Sequence, residues 1–252
     1  MNSSPTPEQK SGVEYFLQGF ELIRRPGLRR FVVLPLTVNL LLFSTAFYFL
    51  FQRMQVWIGQ LMDWLPDFLS WLDFLLWPLA VISVLLTASF TFSAIMNFIA
   101  APFNGLLAEQ VEKSLTGKPM DTGGVLDLVK DTPRLIGREW TKLWYYLPRA
   151  LVFLIILLFV PGIGPILWFG FTAWMMAIQY LDYPFDNHKV PFDRMRGALQ
   201  MQRWRSFSFG AAAAIMAMIP LVNLVLMPVA ICGATALWVD QYREVHGRYG
   251  LD

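Results

Sequence analysis

Two consecutive arginines follow a turn-forming pair of residues in the segment Pro26-Gly27-Leu28-Arg29-Arg30. Their guanidinium groups offer planar arrays of N–H donors that match the oxygens of a tetrahedral anion. A helix beginning at Arg29 would add unpaired backbone N–H groups and the positive end of its dipole, and Gly27 would allow close approach. The same arginines could instead anchor a membrane helix on its cytoplasmic side. At this point both interpretations stay open.

Polar side chains also occur inside or beside segments that are otherwise apolar. Asn39 and Asn104 lie within two such segments, and Glu109 follows the second. An amide in a membrane needs hydrogen-bond partners, which a neighbouring helix or a hydrated path can supply. We therefore consider two alternatives for these residues, namely helix–helix hydrogen bonding and the lining of a polar route.

Motifs of common catalytic and metal sites, such as GxSxG, GxxxxGK, HExxH and CxxC, do not occur in the sequence. The single cysteine, Cys232, excludes an internal disulfide and a thiolate metal cluster. His188, in the polar segment 182–189, could titrate near neutral pH or simply pack in a loop. We expect neither an enzyme nor a bound cofactor or metal.

Long segments without charged residues determine the predicted fold class. Only 15% of the residues are charged, whereas an ordinary soluble domain carries about 25%. Runs of about 18 or more apolar residues are typical of membrane helices. The sequence therefore predicts an all-α integral membrane protein. The charge-free segments are residues 31–51, 74–108, 150–181 and 206–239.

The first two charge-free segments predict full transmembrane helices over residues 30–53 and 74–101. The end of the second segment, around Ala100-Ala101-Pro102-Phe103-Asn104-Gly105, is expected to emerge or turn. Lysines and arginines precede the first helix and follow the second, and only Arg53 lies between them. The positive-inside rule places both ends of this pair in the cytoplasm.

The other two charge-free segments are interrupted by prolines and glycines. In residues 150–181 the break is Pro161-Gly162-Ile163-Gly164-Pro165, which leaves arms of 11 and 16 residues. A full crossing takes about 20 residues, so we predict a re-entrant helical hairpin that enters and leaves the bilayer on one side. Residues 206–239 repeat this design around Pro220, Asn223 and Pro228. The alternative is two crossing hairpins, which would give six spans.

Amphipathic patterns predict surface helices over residues 12–25, 109–149 and 190–205 in a single membrane domain, residues 1–252. Ser11 and Thr122 are candidate helix caps. Charged residues of segment 109–149, among them Glu112, Arg134 and Arg138, could form solvated ion pairs there. Because hairpin turns leave irregular backbone to be buried, we predict a homo-oligomer in the lipid bilayer.

Longer motifs in the chain resemble the CysZ family of bacterial sulfate permeases. They occur in order between about residue 12 and residue 246, without large gaps. The motifs are Gly27-Leu28-Arg29-Arg30-Phe31, Trp77-Pro78-Leu79-Ala80-Val81-Ile82-Ser83, Ala100-Ala101-Pro102-Phe103-Asn104-Gly105-Leu106-Leu107-Ala108-Glu109-Gln110, the break at Pro161-Gly162-Ile163-Gly164-Pro165, Asp182-Tyr183-Pro184-Phe185-Asp186-Asn187-His188-Lys189-Val190-Pro191-Phe192 and Cys232-Gly233-Ala234-Thr235-Ala236.

The resemblance implies sulfate uptake across the bacterial inner membrane for cysteine biosynthesis, with sulfate bound by Gly27, Leu28, Arg29 and Arg30. It also implies two transmembrane helices with two hemi-penetrating hairpins, and oligomers whose subunits insert in opposite directions. The lysine and arginine asymmetry favours one orientation. Passive and proton-linked transport both remain open. The rival hypothesis is a membrane scaffold or regulator that senses sulfate for a separate transporter. No nucleic acid partner is expected.

Overall fold

The computed structural model describes residues 10–64, 73–118 and 125–246. Within these ranges the chain is helical and contains no β-strand, so the predicted all-α class is confirmed. The helices are α1 (Gly12–Leu22), α2 (Arg29–Asp63), α3 (Asp73–Thr116), α4 (Val125–Phe159), α5 (Ile163–Asn187), α6 (Phe192–Met201), α7 (Arg203–Ala217), α8 (Pro220–Gln241) and α9 (Arg243–His246).

The chain, predicted as one membrane domain, divides into two compact units. The first consists of Met1–Val32 with Asn104–Asp252, and the second of Val33–Phe103. The second unit holds most of α2 and α3, and many of its described apolar side chains are exposed. Such surfaces are typical of contact with lipid or with another protein. The most exposed of these side chains include Leu40, Leu41, Phe49, Phe74 and Leu75.

Two predicted helix ends differ from the structure. Helix α2 continues past residue 53 to Asp63, and α3 continues through Pro102 to Thr116. Of the two alternatives for residues 100–105, the turn is therefore wrong, and emergence from the membrane stays a prediction. Leu107 and Val111, beyond the expected turn, are fully buried in the core of the first unit. Their burial stabilises a helix that the proline alone would tend to interrupt.

The first predicted helical break is present between α4 and α5. Helix α4 ends at Phe159, α5 begins at Ile163, and the two helices pack together. Gly162 has a φ of 87°, a conformation that glycine adopts at little cost. Helix α4 begins before residue 150, since it includes much of the predicted amphipathic segment 109–149. Helix α5 continues past residue 181 to Asn187. The predicted Thr122 cap lies outside the described residues.

The second predicted break lies at Met218 and Ile219, between α7 and α8. Pro220 occupies the first position of α8, where the missing N–H of proline costs little. Pro228, which the sequence placed in the break, lies inside α8. The predicted surface helix over residues 190–205 is present as α6, and α7 begins two residues after α6 ends.

Helix α1 belongs to the core of the first unit. Ser11 and Glu14 form a capping box at its start, as the Ser11 prediction required. Tyr15, Phe16 and Leu22 are buried, and α1 packs against α7 and α8. The amphipathic pattern that predicted a helix on the membrane surface thus reflects packing against protein on its buried face.

Among the described residues, one stretch is long and apolar enough to cross a membrane, Pro133–Phe159 of α4. Three shorter apolar stretches are Leu40–Met54, Trp77–Ala88 and Val225–Gln241. Leu40–Met54 ends one residue beyond the predicted span 30–53, and Trp77–Ala88 lies within the predicted span 74–101. Val225–Gln241 ends two residues beyond the second predicted hairpin, 206–239.

Candidate anion-binding site

A tight turn connects α1 and α2. We call residues Gly27 to Arg30, which are the last two residues of this turn and the first two of α2, the arginine turn. The amide of Leu28 donates to the Arg25 carbonyl at 3.2 Å, and the amide of Phe31 donates to the Leu28 carbonyl at 3.0 Å. Gly27 has a φ of 91°, which disfavours any side chain there. Leu28 is only 4% exposed, so it fixes the arginine turn to the core.

Arg29 and Arg30 are the first two residues of α2, and both are exposed. The Arg29 side chain donates from Nε to the Arg24 carbonyl at 3.0 Å. The Arg30 guanidinium carbon lies 4.9 Å from the centre of the Phe31 ring. No carboxylate in the described part of the chain pairs with either arginine. Most of their N–H donors are therefore available to an anion.

Backbone donors lie beside these side chains. The amides of Gly27, Arg29 and Arg30 have no backbone acceptor among the described residues. They lie at the N-terminus of a long helix, where the helix dipole favours negative charge. Guanidinium and amide donors at one place can together bind an oxyanion such as sulfate.

The structure gives Asn104 helix partners. Its side chain is 8% exposed, and Nδ2 donates to the Tyr183 hydroxyl at 3.3 Å and lies 3.4 Å from the Met227 sulfur. These contacts join α3, α5 and α8, which corresponds to the helix–helix alternative. Burial raises the pKa of Tyr183, so its hydroxyl stays neutral at physiological pH.

The remaining predicted site residues are Glu109 and Asn39. Glu109 is half-buried on α3, and Asn39 lies on α2 in the second unit. Among the described residues, no hydrogen bond or ion pair joins the arginine turn to Asn104 or Glu109.

A buried ion-pair network between α4 and α5 was not predicted. Asp182 accepts from Arg138 Nη2 at 2.7 Å and from Lys142 Nζ at 3.1 Å. Asp186 pairs with Arg134 and, at 3.2 Å, with Arg138. The expectation of solvated pairs within residues 109–149 is thus wrong for Arg138, whose side chain is 9% exposed, whereas the Arg134 side chain is 37% exposed. The available signal was their four-residue spacing, which matches that of Asp182 and Asp186.

A second buried contact connects α3 with the end of α5 and with α9. Glu112 is 1% exposed, and its carboxylate oxygens lie 3.0 and 2.9 Å from His188 Nε2. Arg243 Nε donates to the same carboxylate at 2.8 Å. The His188 ring lies 4.8 Å from the ring of Trp238. His188 is thus packed between α3 and α8 and paired with Glu112.

Comparison with known families agrees with the resemblance noted in the motifs. A family model described as sulfate transporter CysZ/etoposide-induced protein 2.4 matches residues 15–228. The match includes the arginine turn, both helical breaks and the ion-pair network between α4 and α5. It covers most of the sequence, and the predicted CysZ resemblance is confirmed. The chain belongs to the sulfate transporter CysZ/etoposide-induced protein 2.4 family.

Proposed function

We propose that this protein carries sulfate across the bacterial inner membrane for cysteine biosynthesis, and that the arginine turn binds the anion. The family match supports sulfate as the substrate. The observation that carries the proposal is the pair of exposed guanidinium groups, without a carboxylate partner in the described chain, at the first two residues of α2.

The chemistry of sulfate suits this turn. Sulfate is a dianion with four acceptor oxygens, and arginine donates in planar forks that pair with oxyanions. The amides of Gly27, Arg29 and Arg30, which have no backbone acceptor in the described part of the chain, add short-range donors. Because Leu28 is held in the core, the backbone of the turn is already ordered, and the main entropic cost of binding is the ordering of the two arginine side chains. Exposure of both arginines to solvent keeps the binding reversible, as transport requires.

We further propose that sulfate passes along polar routes between subunits of a homo-oligomer, with its own gradient as the driving force. Consumption of sulfate in the cytoplasm maintains that gradient. Asn39 and Glu109 are candidates for the lining of the route. Asn104, which contacts Tyr183 and Met227, contributes by holding helices together. Uptake into vesicles with and without a pH gradient distinguishes passive transport from proton-linked transport.

Removal of both guanidinium groups should abolish most sulfate binding. We expect the Arg29→Ala/Arg30→Ala protein to bind sulfate at least about a hundredfold more weakly, since hydrogen bonds from charged groups contribute about 1.5–3 kcal/mol each. Isothermal titration calorimetry of the detergent-purified protein with sodium sulfate measures this change.

The matched control is Arg203→Ala, which removes another exposed arginine from the first position of a helix, α7. Its sulfate affinity should equal that of the wild type. Equal affinities of the wild-type and Arg29→Ala/Arg30→Ala proteins would remove the arginine turn as the binding site.

A further inference from the structure

Two guanidinium groups lie against one aromatic ring in the first unit. The Arg149 guanidinium carbon lies 3.7 Å from the centre of the Tyr145 ring, and that of Arg196 lies 4.6 Å from the same centre. The two positive charges are therefore separated by no more than the sum of these distances. One belongs to α4 and the other to α6, so the tertiary fold brings them together.

The Tyr145 ring is held from two other helices. Its hydroxyl accepts a hydrogen bond from Trp174 Nε1 of α5 at 3.4 Å. The Phe192 ring of α6 packs edge-on against it, with ring centres 5.8 Å apart. The ring is therefore a fixed platform, and both guanidinium groups gain cation–π attraction by lying on it.

Negative charge to balance this pair is scarce among the described residues. Arg149 donates to the Tyr145 carbonyl at 2.7 Å and has no carboxylate partner there. Arg196 lies 3.5 Å from Asp193, whose side chain is 86% exposed, so water weakens that attraction. Its Nε is buried without a hydrogen-bond acceptor. Two like charges on one ring, with little negative charge beside them, favour an anion that can accept from both.

The position of Arg149 along α4 indicates the kind of anion that the two arginines bind. Arg149 is the last charged residue before the charge-free segment 150–181. Leu151, Ile155 and Leu158 follow on α4 with exposed side chains, and Trp144 before it is 70% exposed. Arginine and tryptophan at the end of an apolar helix are typical of the membrane interface, where lipid phosphates lie.

We propose that Arg149 and Arg196, positioned by Tyr145, form a second oxyanion site that binds one tetrahedral phosphate or sulfate group. The phosphodiester of an anionic membrane lipid is the source that its position favours, and free sulfate is the other source. The site shares no residue with the arginine turn. Its occupant would offset one of the two charges as a phosphodiester, or both as sulfate, and hold α4 and α6 together at the membrane surface.

The test uses the full chain in nonionic detergent and calorimetric titration with dioctanoyl phosphatidylglycerol. Dioctanoylglycerol, which lacks the phosphate, measures binding of the acyl chains alone. We expect phosphatidylglycerol to bind the Arg149→Ala/Arg196→Ala protein at least about tenfold more weakly than the wild type. The Arg203→Ala protein, which loses one exposed arginine elsewhere, serves as the control and should bind it like the wild type.

Titration of sodium sulfate into Arg29→Ala/Arg30→Ala protein separates the two sources. If this protein still binds sulfate, and the fourfold variant that also carries Arg149→Ala and Arg196→Ala does not, the site is assigned to free sulfate. Loss of phosphatidylglycerol binding alone would assign it to lipid. Unchanged binding of both probes would overturn the proposal. If the Arg149→Ala/Arg196→Ala protein does not fold, the Arg149→Lys/Arg196→Lys protein is used to test the proposal instead. It keeps both charges but not the planar forks, and it must bind the assigned probe at least threefold more weakly.

Discussion

Replacement of Asp182 by alanine is expected to destabilise the protein by about 1–3 kcal/mol. It removes the carboxylate that two buried cations share, while Arg138 keeps Asp186 and Lys142 keeps Glu139. Arg138 and Lys142 both pair with Asp182, at 2.7 and 3.1 Å. Their side chains are only 9% and 8% exposed, so water cannot replace the lost partner. Denaturant unfolding in detergent, followed by tryptophan fluorescence, measures the change.

The control for this prediction is Asp193→Ala. Asp193 also pairs with an arginine, Arg196 at 3.5 Å, but its side chain is 86% exposed. Exposed pairs of this kind contribute about 0–1 kcal/mol, so Asp193→Ala should leave the unfolding midpoint nearly unchanged. An Asp182→Ala midpoint equal to that of the control would contradict the buried network as a determinant of stability.

Replacement of Gly210 by alanine is expected to cost about 1–3 kcal/mol or more, because α5 and α7 have no room for a methyl group between them. A Cβ atom at Gly210 would lie 1.9 Å from the Ala173 carbonyl oxygen and 2.8 Å from the Ala177 nitrogen. Both are backbone atoms, so the helices themselves would have to move apart. The midpoint of denaturant unfolding measures this loss.

Gly197 provides the matched comparison, since it also lies within a helix, α6, and no atom lies within 4 Å of the Cβ position there. Gly197→Ala should stabilise the protein by about 0.5–1 kcal/mol, since alanine favours a helix over glycine. If both alanine variants changed stability in the same direction and by the same amount, the close α5–α7 contact would not exist in the folded protein.

Helical breaks could be predicted from sequence because their chemistry is local. Gly162 supplies a positive φ, and Pro220 fits the first position of a helix. Pro102 gave the same kind of signal, yet α3 continues through it. The difference lies in burial of Leu107 and Val111 in the core, which no local pattern shows.

Partners across long sequence separations could not be predicted. The spacing of Arg134 and Arg138 identified one face of a helix, but not the carboxylates opposite it. Those belong to Asp182 and Asp186, on a helix that follows the first break. Likewise, Asn104 was identified as an amide needing partners, whereas Tyr183 and Met227 were identified only by the fold.

The arginine turn was the most predictable part of the candidate site. A glycine before two arginines at a helix start is a local feature, and the structure shows the positive φ of Gly27 and a helix beginning at Arg29. Burial of Leu28 and the hydrogen bond from Arg29 to the Arg24 carbonyl depend on the packed chain and could not be predicted.

Uptake of radiolabelled sulfate into lipid vesicles that contain only the purified protein tests the central claim most directly. We predict gradient-driven accumulation by wild-type and Arg203→Ala proteins, and uptake at least about tenfold slower with Arg29→Ala/Arg30→Ala, since two charge-assisted contacts are lost. Sulfate binding by the wild type without any uptake would contradict transport and favour a sulfate-sensing scaffold or regulator. Wild-type rates of uptake by Arg29→Ala/Arg30→Ala would contradict the role of the arginine turn.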